Sequence, residues 1–334
     1  MKVLISANVL GGPGGAQRAL HSTLRALDGA NIEVVARRQV DFGPIAGLAR
    51  QPRISSNRDL RWVGSNSAFG VNGTIARALN PLRRVTRPRQ DLYLELFQGA
   101  PLGNAVRAGM RLLIPSGNTV PAHRTTGIDL VAMQAPSNEA LLPPGTKSVL
   151  LPPPVYPLAE TEESPGVKLP PRFLLTVFNP YGEIKGSQDM ARVADSSPLP
   201  IVWCHTSTTL TFDVDASLSA HRKIIHVESP TPAQLRYLYE RTSGYLCLSL
   251  SEGFGWSIAD ALRYSYVVIS RPIGLLSDPR APRDGVHLAG DDWEIDWSLL
   301  DSGADPSSRD LEFISPQRFR RDLDDLLTMG WPTP

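Results

Sequence analysis

The sequence predicts an α/β protein made of two parallel-sheet domains with a cleft between them. Three observations point there. The chain has 334 residues, about two domains' worth. Short apolar runs alternate with helical patterns in both halves, which is the signature of strand–helix–strand units. Glycine-bearing turns follow several of the strands, where open α/β sheets bind ligands.

In the first half, Lys2–Val9 reads as a strand, followed by the turn G-G-P-G-G-A-Q at 11–17. A helix from about Ala16 to Leu27 carries Leu20, Leu24 and Leu27 on one face, and I-E-V-V-A at 32–36 reads as the next strand. The alternation continues through D-L-Y-L-E-L-F at 91–97, R-L-L-I-P at 111–115 and I-D-L-V-A-M at 128–133. The stretch 43–90, rich in Gly, Asn, Ser and Arg, assigns no element. A proline-rich, acidic segment at 150–172 reads as the connection between domains, because proline cannot donate to a sheet ladder and favours extended linkers. A long surface loop within one domain is the alternative.

The second half restarts with R-F-L-L-T-V-F at 172–178, a helix at 187–195, and strands at 201–205 and 224–227. Thr231, Pro232 and Gln234 have the spacing of a capping box with proline at the first helical position. Strand G-Y-L-C-L-S leads into S-E-G-F-G-W-S-I-A-D, a helix over 256–263 and strand Y-V-V-I-S at 266–270. An amphipathic helix over 316–327 ends the chain. The domains predicted are therefore 1–155, 156–315, and a C-terminal helix and tail over 316–334.

Composition narrows the function. Hydrophobic residues make up 42% and charged residues 20%, ordinary values for a globular protein. No apolar run is long enough for a membrane span, and the N-terminus reads as a strand rather than a signal peptide. Cys204 and Cys247 sit in apolar segments without metal or disulfide spacing, so they read as buried thiols, in keeping with a cytoplasmic location. The net charge of +1 is split unevenly. Residues 1–160 hold 18 Lys and Arg against 9 Asp and Glu, and residues 161–334 hold 16 against 24, so the halves carry +9 and −8. This asymmetry supports two halves with different partners.

Three turns hold candidate site residues: 11–17, N-P-Y-G-E-I-K-G at 179–186, and E-G-F-G at 252–255. Glycine admits a ligand close to the backbone, and a helix N-terminus presents N–H groups to an anion. Each is also what a plain βα turn requires. The first turn is neither a dinucleotide fingerprint, because Gln17 stands where a small residue belongs, nor a Walker loop, because no G-K-S/T follows. Arg37 and Arg38 suit a 2′-phosphate, which leaves an NADP-dependent oxidoreductase open. Lys185, flanked by Gly182 and Gly186, is a candidate diphosphate cation. Glu252 stays in the turn while Asp260 lies about one turn inside the helix. Two carboxylates there suit the hydroxyls of a sugar and of a ribose, or the acid and base of a glycosidase.

These residues resemble the retaining GT-B glycosyltransferases, in particular the large family 4 (glycosyl transferases group 1). Its signature reads E-G-F-G-L-x-x-x-E, against E-G-F-G-W-S-I-A-D here. The likeness extends to P-T-P-A-Q-L-R-Y-L-Y-E-R-T-S-G-Y-L-C-L-S before the motif, to A-L-R-Y-S-Y-V-V-I-S, R-P-I-G-L-L and D-G-V-H-L-A-G-D-D after it, to G-G-P-G-G-A-Q-R-A-L near the start and to L-L-P-P-P-V at the hinge. The resemblance implies two Rossmann-like domains facing across a deep cleft, and transfer of a sugar from a UDP-, GDP-, ADP- or dTDP-sugar with retention and without metal or other cofactor. It implies roles for Gly14 and Gly15 at the donor phosphate and sugar, for Lys185 at the diphosphate, for Glu252 at the donor sugar, for the amides of Gly253, Phe254, Gly255 and Trp256 at sugar and phosphate, and for Asp260 at the ribose.

The chain departs from the family in four places. Asn179 stands where the family has an Arg, Asp260 where it has a Glu, Trp256 where it has a Leu, and Asn118 where members often carry a His. The acceptor side falls to the first domain, with Asn118, Arg83 and Arg84 as candidates. The basic run R-A-L-N-P-L-R-R-V-T-R-P-R suits an anionic acceptor or a membrane surface with the protein peripheral to it, or is a solvated loop. Without aromatic interleaving it does not read as a nucleic-acid site. A non-catalytic nucleotide-sugar-binding protein is the alternative function.

Overall fold

A computed structural model describes residues 1–10, 14–39, 48–56, 89–96, 102–115, 119–180, 183–206, 218 and 220–328. The chain forms two compact units, Met1–Pro154 together with Ile314–Pro334, and Val155–Phe313.

Among the described residues, the first unit holds strands β1 (Lys2–Leu10), β2 (Asn31–Gln39), β3 (Arg53–Ser56), β4 (Gln90–Leu96), β5 (Ala108–Ile114), β6 (Leu130–Met133) and β7 (Ser148–Leu150) in one sheet of order β3-β2-β1-β4-β5-β6-β7. Every pairing is parallel. Parallel strands are covered on both faces, which is why Leu92 through Leu96 are all buried rather than alternating. One face of this sheet packs on helix α1 (Gly15–Ala26) and on the C-terminal helix, here α6 (Pro316–Thr328). Val3, Ile5, Leu92 and Leu94 meet Leu20 and Leu24 from α1, Leu27 just past its end, and Phe319, Leu323 and Leu326 from α6. The last helix thus returns to the first unit, and Arg320 donates to the carbonyl of Ala26 at 2.9 Å. A one-turn helix, α2 (Ala122–Thr125), follows β5. Strands β3 and β7 fall where no element was predicted, and residues 57–88 lie outside the described set.

The second unit holds β8 (Leu174–Val177), β9 (Ile201–His205), β10 (Ile224–Glu228), β11 (Gly244–Cys247), β12 (Val268–Ser270) and β13 (Val286–Leu288), in the parallel order β10-β9-β8-β11-β12-β13. Among the described residues it carries helices α3 (Ser187–Ser196), α4 (Pro232–Arg241) and α5 (Trp256–Tyr264). Leu174, Ile201, Trp203, Leu246 and Ile269 pack with Met190 and Val193 of α3. The capping box at α4 forms as the spacing predicts. Gln234 N–H donates to Thr231 Oγ1 at 3.2 Å, and Thr231 N–H donates to Gln234 Oε1 at 3.0 Å.

The proline-rich segment contains the division between the units. The division between units falls at Pro154 and Val155, and the residues after it are fastened to the second unit. Arg236 donates to the carbonyls of Ala159 (2.8 Å) and Glu160 (2.7 Å), Arg241 pairs with Glu162 (2.8 Å), and Leu158 N–H reaches the Tyr264 hydroxyl (3.1 Å). Arg236 thus takes up two backbone carbonyls of this extended segment, and Arg241 adds an ion pair to it. Among the described residues no helix is long and apolar enough to cross a membrane.

Candidate functional site

Both sheets have the strand order of a Rossmann fold, in which the chain winds away from a central pair in opposite directions. A crevice opens at the carboxyl ends of that pair, the topological switch point. In the second unit the pair is β8 and β11. Lys185 follows β8 and Glu252 follows β11, so the topology brings these two sequence-predicted residues together.

The turn after β8 tightens into a single 3₁₀ turn over Glu183–Lys185 and ends at Gly186, with φ 71°. A Cβ at Gly186 would lie 2.1 Å from the carbonyl oxygen of Leu248, so the two turns approach more closely than any other residue permits. Leu250 N–H donates to the carbonyl of Ile184 at 2.8 Å and stitches the turns together. With the backbones so held, Lys185 Nζ donates to Glu252 Oε1 at 2.6 Å. Ser249 Oγ donates to the same oxygen at 2.7 Å. The side chains of Lys185 and Glu252 are 24% and 15% exposed, so the pair is sheltered yet reachable from solvent.

The E-G-F-G turn delivers the chain into α5. Phe254 is buried and anchors the turn, and its carbonyl accepts from Leu275 N–H at 2.7 Å. Gly255 takes the left-handed conformation, φ 89° and ψ 60°, as the N-cap. No side chain caps the start of α5. Trp256 stands at the first helical position, edge-on to Phe254 with ring centroids 5.0 Å apart. Asp260, on α5, is only 2% exposed, which sets aside a solvated surface carboxylate. Asn179 is held structurally: its Oδ1 accepts from Thr206 N–H (2.7 Å) and Thr206 Oγ1 (2.9 Å), tying the ends of β8 and β9. Sequence reasoning missed Ser249, although its place three residues before Glu252 was visible. It also missed Arg271, whose burial no local pattern announces.

Gly14 and Gly15 belong to the first unit, where both are exposed at the start of α1, another helix without a side-chain cap. That unit has its own switch point, between β1 and β4, occupied by a carboxylate that sequence reasoning passed over. Glu95 sits across from Ser6, accepts from the Tyr93 hydroxyl at 3.0 Å and pairs with Arg124 at 2.7 Å. Burial pushes its carboxyl up to about 7, against the opposing pull of Arg124 and Tyr93. Asn118, Arg83, Arg84 and Gly182 lie outside the described residues.

An ammonium, a carboxylate and a helix N-terminus without a side-chain cap share one crevice, a set whose chemistry suits an anion bearing hydroxyl groups. No protein-family model matches the chain, and no curated protein matches it. Solved structures do. The lipopolysaccharide outer core galactosyltransferase WaaB is 14% identical, with 99% of this chain and 100% of that one covered at TM-score 0.64. HepE from Anabaena, solved with UDP and glucose, is 13% identical over 98% of this chain and 100% of that one, at TM-score 0.66. The fold is GT-B. The α,α-trehalose-phosphate synthase (UDP-forming) of Burkholderia xenovorans, solved with glucose-6-phosphate, extends the GT-B likeness at 11% identity and TM-score 0.62, covering 98% and 100%. In this GT-B chain the Lys185–Glu252 pair stands at the switch point of the second Rossmann-like sheet.

Proposed function

We propose that this chain is a retaining glycosyltransferase that moves a sugar from a nucleotide-diphosphate donor to an acceptor hydroxyl. The observation that carries the reading is the Lys185–Glu252 contact beside the uncapped start of α5. In this reading the donor diphosphate takes the Lys185 ammonium and the first-turn N–H groups of α5. Glu252 receives hydroxyls of the donor sugar. UDP is the first nucleotide to test, because HepE was solved with it and the Burkholderia synthase is UDP-forming.

The acceptor oxygen forms a bond to the anomeric carbon as the bond from that carbon to the diphosphate oxygen breaks. The departing oxygen takes the acceptor's proton, and the products are the glycoside and the nucleoside diphosphate. Attack and departure on one face retain configuration. The protein's work is to stabilise negative charge on the leaving group, for which an ammonium and oriented N–H groups suffice.

Thermal shifts with UDP, GDP, ADP, dTDP and their sugars test the reading. A ligand at a hundred times its Kd stabilises the native state by about 2.7 kcal/mol. A shift with one nucleotide family, followed by nucleotide release from the matching sugar donor, supports transfer. A shift without turnover points to a binding protein, and no shift with any of the four sinks the proposal.

A further inference from the structure

Arg271, the first residue after β12, is 6% exposed although it carries a full charge. Burying a guanidinium is costly unless its donors are met, and here they are met by parts of the site's framework. Nη1 donates to the carbonyl of Leu248 at 3.0 Å and lies 3.5 Å from that of Ser249. Nε pairs with the Asp291 carboxylate at 3.1 Å, and Nη2 reaches the Asp291 carbonyl at 3.3 Å. Nη2 also lies 3.6 Å from the carboxylate of Asp189, and the guanidinium stacks 4.5 Å from the Trp293 ring centroid. The Trp293 indole N–H in turn donates to Asp189 at 3.1 Å.

These partners belong to both turns of the site. Leu248 and Ser249 run directly into Glu252, and the Ser249 hydroxyl bonds the Glu252 carboxylate. Asp189 lies in the first turn of α3, four residues after Lys185, and the intervening Gly186 abuts the carbonyl that Arg271 holds. We infer that Arg271 is a positioning residue for the Lys185–Glu252 pair, acting through the Leu248–Ser249 backbone on one side and through Asp189 on the other. These contacts direct its donors at the framework rather than at the crevice, so it acts through its neighbours rather than on a ligand. The inference rests on the proposed function only where nucleotide binding is read.

Two variants test it. Arg271→Met keeps the aliphatic stem and removes every donor. Arg271→Lys keeps the charge but has one donor centre, which cannot span the Leu248 carbonyl and Asp189 together. Crystal structures of both variants without nucleotide read the Lys185 Nζ–Glu252 Oε1 contact directly. It is expected to open beyond about 4 Å, the limit of an ion pair, in each variant. Either variant with the contact intact overturns the inference, and the Lys variant decides alone should the Met variant fail to fold. UDP titration, with melting temperature measured alongside, separates positioning from general stability. A Kd weakened about tenfold or more in a folded variant supports positioning. A lowered melting temperature with unchanged Kd overturns it. Wild-type protein that binds none of UDP, GDP, ADP and dTDP overturns the proposed function, and the crystallographic contact then decides the role of Arg271.

Discussion

The two switch points share a topology and differ in what they expose. In each, a carboxylate stands at the carboxyl end of the central strand pair and is matched by a cation, Arg124 for Glu95 and Lys185 for Glu252. Glu95 is still within its strand and its side chain is 1% exposed, whereas Glu252 lies in the turn beyond its strand and is 15% exposed. Glu95 is driven toward its neutral form by burial, to about 7. The fold supplies the address twice, and the depth of the carboxylate along the chain decides whether a ligand can reach it.

The largest effect is expected at the second switch point. Glu252→Ala should lower turnover of the matching sugar donor about 10²- to 10³-fold, the scale for losing one polar group that contacts the transition state. Glu95→Gln should leave turnover at pH 7 within about twofold of wild type; a comparable loss there would erase the distinction.

Next is Leu323→Ala on α6. It opens a cavity in the first unit worth about 3–4 kcal/mol. Hydrogen exchange should quicken in β1 and β4 and stay unchanged in β8 and β11. Equal quickening in both sheets would mean that the units do not unfold separately.

Third is the pH dependence of the first unit. The Glu95 carboxyl is raised from 4.5 to about 7 on folding, so the native state holds its proton where the unfolded chain has lost it. Stability from this group is full below pH 4.5 and is lost as pH rises to about 7, by up to about 3 kcal/mol. Urea titrations across that range should show the fall in wild type and a flat profile in Glu95→Gln. A wild-type profile already flat would show that Glu95 stays ionised. The smallest effect is Thr231→Ala, which removes the α4 cap and should cost about 1 kcal/mol in the second unit alone, read as a shift in its urea midpoint.

Much of the fold was legible because it rests on local patterns. The period of Leu20, Leu24 and Leu27 marked α1, the apolar runs marked most strands, and Thr231, Pro232 and Gln234 marked the start of α4. The boundaries moved by one to three residues at several strand ends, where parallel pairing rather than propensity decides how far a strand runs. The short edge strands β3 and β7 were not legible, because a few residues carry no period. Of the candidate site, E-G-F-G and Lys185 could be read from glycine placement before a helix. Their direct contact could not, nor could the burial of Asp260 or the tie between Asn179 and Thr206 across two strand ends.

By itself the sequence determined the alternation of strands and helices, the glycine turns that end β8 and β11, and the helix start behind Glu252. These depend on residues a few positions apart, whose spacing dictates backbone conformation. Only the tertiary structure decided that Lys185 meets Glu252 across 67 residues, that Arg271 is buried against the carbonyls beneath them, and that the last helix closes the first unit's core rather than trailing from the second. Such contacts come from the order in which parallel strands pair and from the burial that pairing forces. No local pattern carries that order, because β8 and β11 become neighbours only when the intervening β9 and β10 are laid to one side of them.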